Sequence, residues 1–231
     1  MELRRRGLAI ALALVSVVVF GQVPASADPP PPPPPPPPPT ANQPSGTGSV
    51  GSAAAVIDGS PISIADLAVC ETDGVETGFT PGVQADLVRI GWGFSHCSTD
   101  GRGDVTVRVV GSLYEIDAAI PQGGPQITAA YEVTCQATPS NTWSTLRVSP
   151  IPGIWLPARI PPNYTVVIPG RLTTDSPLAR IVFNEQIREE PPDRTLTMNA
   201  VHVHLFPDGP AANRGEFIAG TVRCSSHTAP A

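Results

Sequence analysis

Lysine is absent from this chain: all 14 basic residues among its 231 are arginine. The absence fits a GC-rich coding sequence that favours arginine codons, and it carries no functional reading. Beyond the first 27 residues no stretch approaches about eighteen uninterrupted apolar positions, which argues against a helical membrane span there. The cysteines hold no C-x-x-C pair, which argues against Cys-ligated zinc. There is no G-x-S-x-G elbow, no H-E-x-x-H helix and no phosphate-cradling glycine loop, and each missing motif lowers the expectation of an enzyme. No amphipathic pattern extends beyond about two turns, so helices are not expected to build the core.

The amino terminus carries an address. Arg4, Arg5 and Arg6 precede an uncharged, mostly apolar run from Gly7 to Phe20, and Ala25-Ser26-Ala27 supplies the small-x-small pattern of a cleavage site. Residues 1–27 read as a signal peptide cleaved before Asp28, with Sec-type export expected. Its removal takes three of the 14 arginines and one of the 20 acids, leaving 11 against 19, a formal charge of −8. An acidic surface repels phosphate backbones, so no nucleic-acid partner is expected. The closing residues show no hydrophobic tail or sorting motif, so no stable membrane span is expected after cleavage.

Residues 28–49 read as a spacer. Pro29 to Pro39 are eleven consecutive prolines, which favour polyproline II and a semi-rigid rod of roughly 34 Å. Thr40 to Ser49 follows as flexible linker. Residues 50–231 change character: β-branched runs such as "DVTVRVVGSLYEI", "QITAAYEVTCQA" and "TLTMNAVHVHLF" alternate with Gly/Pro turns. In "ITAAYEVTC" Ile127, Ala129, Tyr131, Val133 and Cys135 share one face, as a half-buried strand requires. The expected fold is all-β, an antiparallel β-sandwich of about eight to ten strands, Ig-like or jelly-roll-like in outline. The proline-rich stretch around "SPIPGIWLPARIPPNYTVVIPGR" cannot form a central strand and reads as a crossover or edge segment, with Trp155 and Tyr164 pinning it.

Four cysteines in an exported chain suggest two disulfides, for which three connectivities exist. Cys135 and Cys224 both fall on the apolar side of strands, which pairs them and leaves Cys70 with Cys97. His202 and His204 stand at i and i+2 of a strand, so strict alternation puts them on one face with Met198, Ala200 and Phe206. Two imidazoles side by side can supply part of a zinc site, with the remaining ligands from elsewhere. His96 and His227 fit no such pattern, and the pair is read as packing: no metal and no cofactor are expected.

"ARIVFNEQ", "TLTMNAVHVHL" and "GEFIAGTVRCSS" together resemble the carboxy-terminal half of the choice-of-anchor P family of exported actinobacterial proteins. Asn184, Glu185 and Gln186 match that family's first motif, Asn199, Ala200 and His202 its second, and Cys224 its closing strand. The resemblance covers about fifty residues and implies no enzymatic activity. It implies surface attachment, whereas the chain as read shows no such anchor and is expected to be released or loosely held.

The expectation is therefore an exported, non-catalytic module of the cell envelope or extracellular space, in a structural or adhesive role. A second reading is a carbohydrate or small-ligand binding module using Trp92, Trp143, Trp155 and Tyr164 as stacking surface, with a glycan or envelope component as partner. A third is a hydrolase using Glu185 with Glu189 or Glu190, or a metal at His202 and His204. Against the carboxylate version, Pro191-Pro192 ends the segment and makes "REEPP" a charged turn.

Overall fold

Runs of valine, isoleucine, threonine and small residues dictate extended chain, and extended chain is nearly all that forms. The computed structural model describes residues 44–226 apart from 173, 190–193 and 211–212. The expected signal peptide, the proline tract, Glu190 and His227 lie outside the described residues. The strands in chain order are β1 (Ser45–Ile57), β2 (Ser60–Leu67), β3 (Cys70–Glu71), β4 (Thr77–Thr80), β5 (Val83–Ala85), β6 (Val88–Ile90), β7 (Gly93–Thr99), β8 (Val105–Ile116), β9 (Ile127–Thr138), β10 (Asn141–Val148), β11 (Tyr164–Ile168), β12 (Ala179–Arg188), β13 (Thr195–Leu205) and β14 (Arg214–Ser225). A single 3-10 turn, Ile120–Gln122, is the only helical element among the described residues.

Two seven-stranded antiparallel sheets pack face to face as a β-sandwich. The first runs β11-β12-β13-β14-β1-β2, with β3 also on β1; the second runs β10-β9-β8-β6-β5, with β7 on β8 and β4 on β7. Between them lies one continuous apolar core, built from positions such as Val107, Val133, Phe183, Leu196 and Phe217, all 0% exposed. The expected eight to ten strands become fourteen because β3, β4, β5 and β6 have two to four residues each, too few to show alternation in sequence. β10, which the sequence pattern does not single out, forms an edge strand pairing along β9 from Asn141 to Val148, just before the proline-rich stretch.

The linker boundary also moves. Ser45–Ser49 was read as flexible spacer, but it opens β1 and pairs with β14 through Ser45↔Ser225 to Ser49↔Thr221. The small residues there are a packing requirement. A Cβ at Gly48 would sit 2.9 Å from side-chain carbons of both Val107 and Val109, and one at Gly46 would collide with Val107. Glycine lets the facing sheet approach that closely.

Both disulfides cross this core. Cys70 on β3 joins Cys97 on β7, and Cys135 on β9 joins Cys224 on β14, so each ties one sheet to the other. The bridges span 27 and 89 residues of chain, for which loop closure predicts about 3.5 and about 4.5 kcal/mol in the chain-entropy description. Residues 149–163 carry the chain from β10, on the edge of the second sheet, to β11, on the edge of the first. Its buried anchors are Ile151 and Ile154; Trp155, expected to pin it, is 75% exposed and does not.

One row of the first sheet breaks the alternation. Buried positions on β13 run Leu196, Met198, Ala200, then Val201, Val203, Leu205; on β14 they run Phe217, Ala219, then Val222, Cys224. The ladder skips the pairs 184/200, 200/220 and 220/50 while register resumes on both sides. Asn184 (φ +53°) and Gly220 (φ +67°) lie on this line in the left-handed region. Facing it from β9, the Tyr131 hydroxyl donates to the Val50 carbonyl and receives the Gly220 amide. Burial pushes its phenol well above the usual range, so the donor stays protonated.

Replacing Tyr131 with Phe leaves the Val50 carbonyl buried without that donor. Denaturant unfolding of the oxidised protein is expected to show a loss of about 1–3 kcal/mol. Gly220→Ala should cost more, because its Cβ would meet the Tyr131 ring and its φ is positive.

Candidate functional site

The break in alternation decides where the two histidines face. Strict alternation places them with Met198 and Ala200, but those two are core residues at 0% exposure, whereas His202 and His204 lie on the outer face of the sheet. Because the parity changes at Ala200, Asn199 and His202 point to the same side although three positions apart. Both reach one carboxylate oxygen: Asn199 Nδ2 donates to Glu185 Oε2 at 2.7 Å, and His202 Nδ1 lies 2.8 Å from the same atom.

Three strands contribute. Glu185 stands on β12 opposite Asn199 on β13, which stands opposite Thr221 on β14. The Thr221 hydroxyl donates to Asn199 Oδ1 at 2.8 Å, orienting the amide so that its nitrogen faces Glu185. One row along, His204 lies between Arg180 on β12 and Glu216 on β14. The imidazoles of His202 and His204 have centroids 4.0 Å apart. Glu216 Oε1 is 3.7 Å from His204 Nδ1, and its Oε2 is 4.0 Å from His202 Nε2. Glu185, His202 and His204 each offer one donor atom within 4.8 Å of the others.

The electrostatics follow from these contacts. The His202 hydrogen bond is the largest influence on Glu185; it and the Asn199 bond hold the carboxyl below its usual range, against the opposing effect of burial. An ionised carboxylate only accepts, so His202 Nδ1 carries the proton in that bond, and the other ring nitrogen, Nε2, is the one left to face outward from Glu185. Burial, with the nearby charges of His202 and Arg180, lowers His204, while Glu216 and Glu185 act the other way. The arrangement can hold a cation between imidazoles and carboxylates. The reading of this pair as packing alone did not anticipate Glu185 or Glu216 beside them.

The remaining motif residues turn inward. Asn184 Nδ2 donates to the Ile160 carbonyl at 2.9 Å, and Gln186 Nε2 reaches Asn184 Oδ1 at 3.0 Å and Ser144 Oγ at 3.3 Å on β10. Thus Asn184 and Gln186 fasten the crossover and the opposite sheet, Ala200 fills core at the bend, and Glu185 belongs to the outer face. Glu189 pairs with Arg223 at 3.1 Å on the surface and makes no dyad with Glu185. His96 contacts Thr77 on β4.

The aromatic residues divide. Trp155 and Tyr164 line one open groove of about 1240 Å³ under the crossover, together with Arg147, Arg159, Asn184 and Gln186. Trp143 donates to Gln136 Oε1 at 2.8 Å on the second sheet, and Trp92 lies between β6 and β7. Of the four, Trp155 and Tyr164 are the two that line this groove. No family model, no curated protein and no solved structure matches this chain.

Because Glu185 is depressed in the folded state, its stabilising effect is present above the ordinary value of 4.5 and is lost as pH falls through the folded value. The lowered His204 acts in the same sense, losing stability as pH falls below 6.5. Wild-type protein and Glu185→Gln are therefore expected to differ in unfolding free energy at pH 7 and to converge once pH has fallen below the folded value of Glu185. Curves that stay parallel across that range would remove the Glu185–His202 interaction.

Proposed function

We infer that the chain is an exported, non-catalytic β-sandwich serving as a structural or adhesive module of the bacterial cell envelope or extracellular space. The observation that supports this most is the placement of the cysteines. All four are 0% exposed, and each bridge fastens one sheet to the other across the core. Such bonds persist in oxidising compartments, which agrees with the basic, apolar, small-residue leader. No helix among the described residues is long and apolar enough to cross a membrane. The likeness of Asn184, Glu185, Gln186, Asn199, Ala200 and His202 to the choice-of-anchor P motifs belongs to the same reading.

A carbohydrate-binding role is the second reading, favoured by one observation. Trp155, 75% exposed, shares a groove with Tyr164, Asn184 and Gln186. Aromatic faces stack on the apolar faces of sugar rings, and neighbouring carboxamides bond their hydroxyls.

Expression with its own leader in a bacterial host is expected to deliver a chain beginning near Asp28 outside the cytoplasm. It should show no free thiols before reduction. Retention in the cytoplasm with reduced cysteines would remove the reading. Glycan-array binding that disappears in Trp155→Ala would move the assignment to the second one.

A further inference from the structure

We propose that His202, His204 and Glu216 form a binding site for a divalent transition-metal ion of the zinc class, with Glu185 as the carboxylate that orients His202. The argument begins with His202, of which only 9% is exposed. Its Nδ1 is committed to Glu185 at 2.8 Å, and its Nε2 is buried with no hydrogen-bond partner. A buried polar atom without a partner costs stability unless something binds it. What lies around Nε2 is the donor set of a metal site: a second imidazole, and a carboxylate 4.0 Å away that is also 3.7 Å from His204 Nδ1.

The distances suit an ion. Zinc sits about 2.0–2.2 Å from nitrogen and oxygen ligands, so tetrahedral ligands stand about 3.4 Å apart. Separations of 3.7 and 4.0 Å need to close by roughly half an ångström. Glu216 can supply that movement, since 65% of its side chain is exposed and its backbone is fixed in β14. The imidazoles, two residues apart on a central strand, stand with ring centroids 4.0 Å apart, and their ligand atoms lie within 4.8 Å of each other.

The support behind the ligands is of the kind metal sites require. A ligating histidine normally donates its other ring nitrogen to a carboxylate or carbonyl, which sets the tautomer and aims the lone pair. Here Thr221 orients Asn199, Asn199 and His202 both bond Glu185, and the free electron pair of His202 is left on Nε2. Three side chains are thus ordered to present one nitrogen. Imidazole and carboxylate donors suit zinc, copper and nickel better than calcium or magnesium, which prefer all-oxygen shells. His204 and Glu216 also line an open groove of about 790 Å³ with Arg180 and Arg214, so the ion is reachable from solvent.

The test uses the full chain expressed with its leader, purified without a polyhistidine tag, treated with chelator and titrated with Zn²⁺ by calorimetry, with Ni²⁺ and Cu²⁺ for comparison. One saturable site per chain is expected, accompanied by a rise in melting temperature. His204→Ala, on a side chain 28% exposed, should abolish binding with both disulfides intact. Glu185→Gln should weaken affinity by about 10–100-fold, as loss of an orienting carboxylate does. His96→Ala, remote on β7, should change nothing. Absence of saturable binding, or binding unchanged in His204→Ala, would overturn the proposal, as would equal loss in His96→Ala.

Discussion

The change of parity across the first sheet is held by a tyrosine from the second sheet. Tyr131 lies between two glycines: a Cβ on Gly111, its cross-strand partner on β8, or on Gly220 in the facing sheet would run into its ring. Its hydroxyl then serves two backbone groups on the interrupted row, accepting from the Gly220 amide and donating to the Val50 carbonyl. A flat ladder would have paired those groups with each other. Tyr114 repeats the contact one step along β1, its hydroxyl 3.4 Å from the Ser52 carbonyl. Buried backbone groups must be satisfied somewhere, and here side chains of the opposite layer take the place of ladder partners.

What happens inside determines what appears outside. Once β12, β13, β14 and β1 all change parity on one line, outward side chains that would have stood on opposite faces come to the same one. Asn199 and His202 meet on Glu185 for this reason alone. The outer surface thereby acquires a compact group of two carboxylates and two imidazoles on a rigid, centrally paired part of the sheet. A constellation placed on strands and braced by neighbouring hydrogen bonds holds its geometry better than one carried on a loop.

Much of this was legible in the residues. The alternation of β9 from Ile127 to Ala137 is buried at every second position as its pattern foretells, and the faces of Cys135 and Cys224 foretold their bond. The proline-rich stretch was correctly barred from a central strand, because proline has no amide to give a ladder. Other features were hidden for physical reasons. Ser45–Ser49 has the composition of a linker, since close sheet packing and flexibility both select glycine and serine. Gly220 and Asn184 carry the parity change, yet nothing in one strand's pattern shows that its neighbours break at the same height. The histidine partners were missed for that reason: Glu185 and Glu216 reach them across strands, and cross-strand register is not written in local spacing.

The first strand and the last are neighbours in the middle of the first sheet, β1 pairing with β14 from Ser45↔Ser225 to Val56↔Arg214. No order of synthesis from the amino terminus can complete that sheet early, because its central seam waits for the final dozen residues of the fold. Such distant pairings make folding slow, since a long loop must close before its contacts stabilise anything. On the export reading proposed above, in which the chain crosses a membrane unfolded, this delay is an advantage. The sandwich assembles only after its last strand has arrived, and the bond between Cys135 and Cys224 then locks that arrival in place.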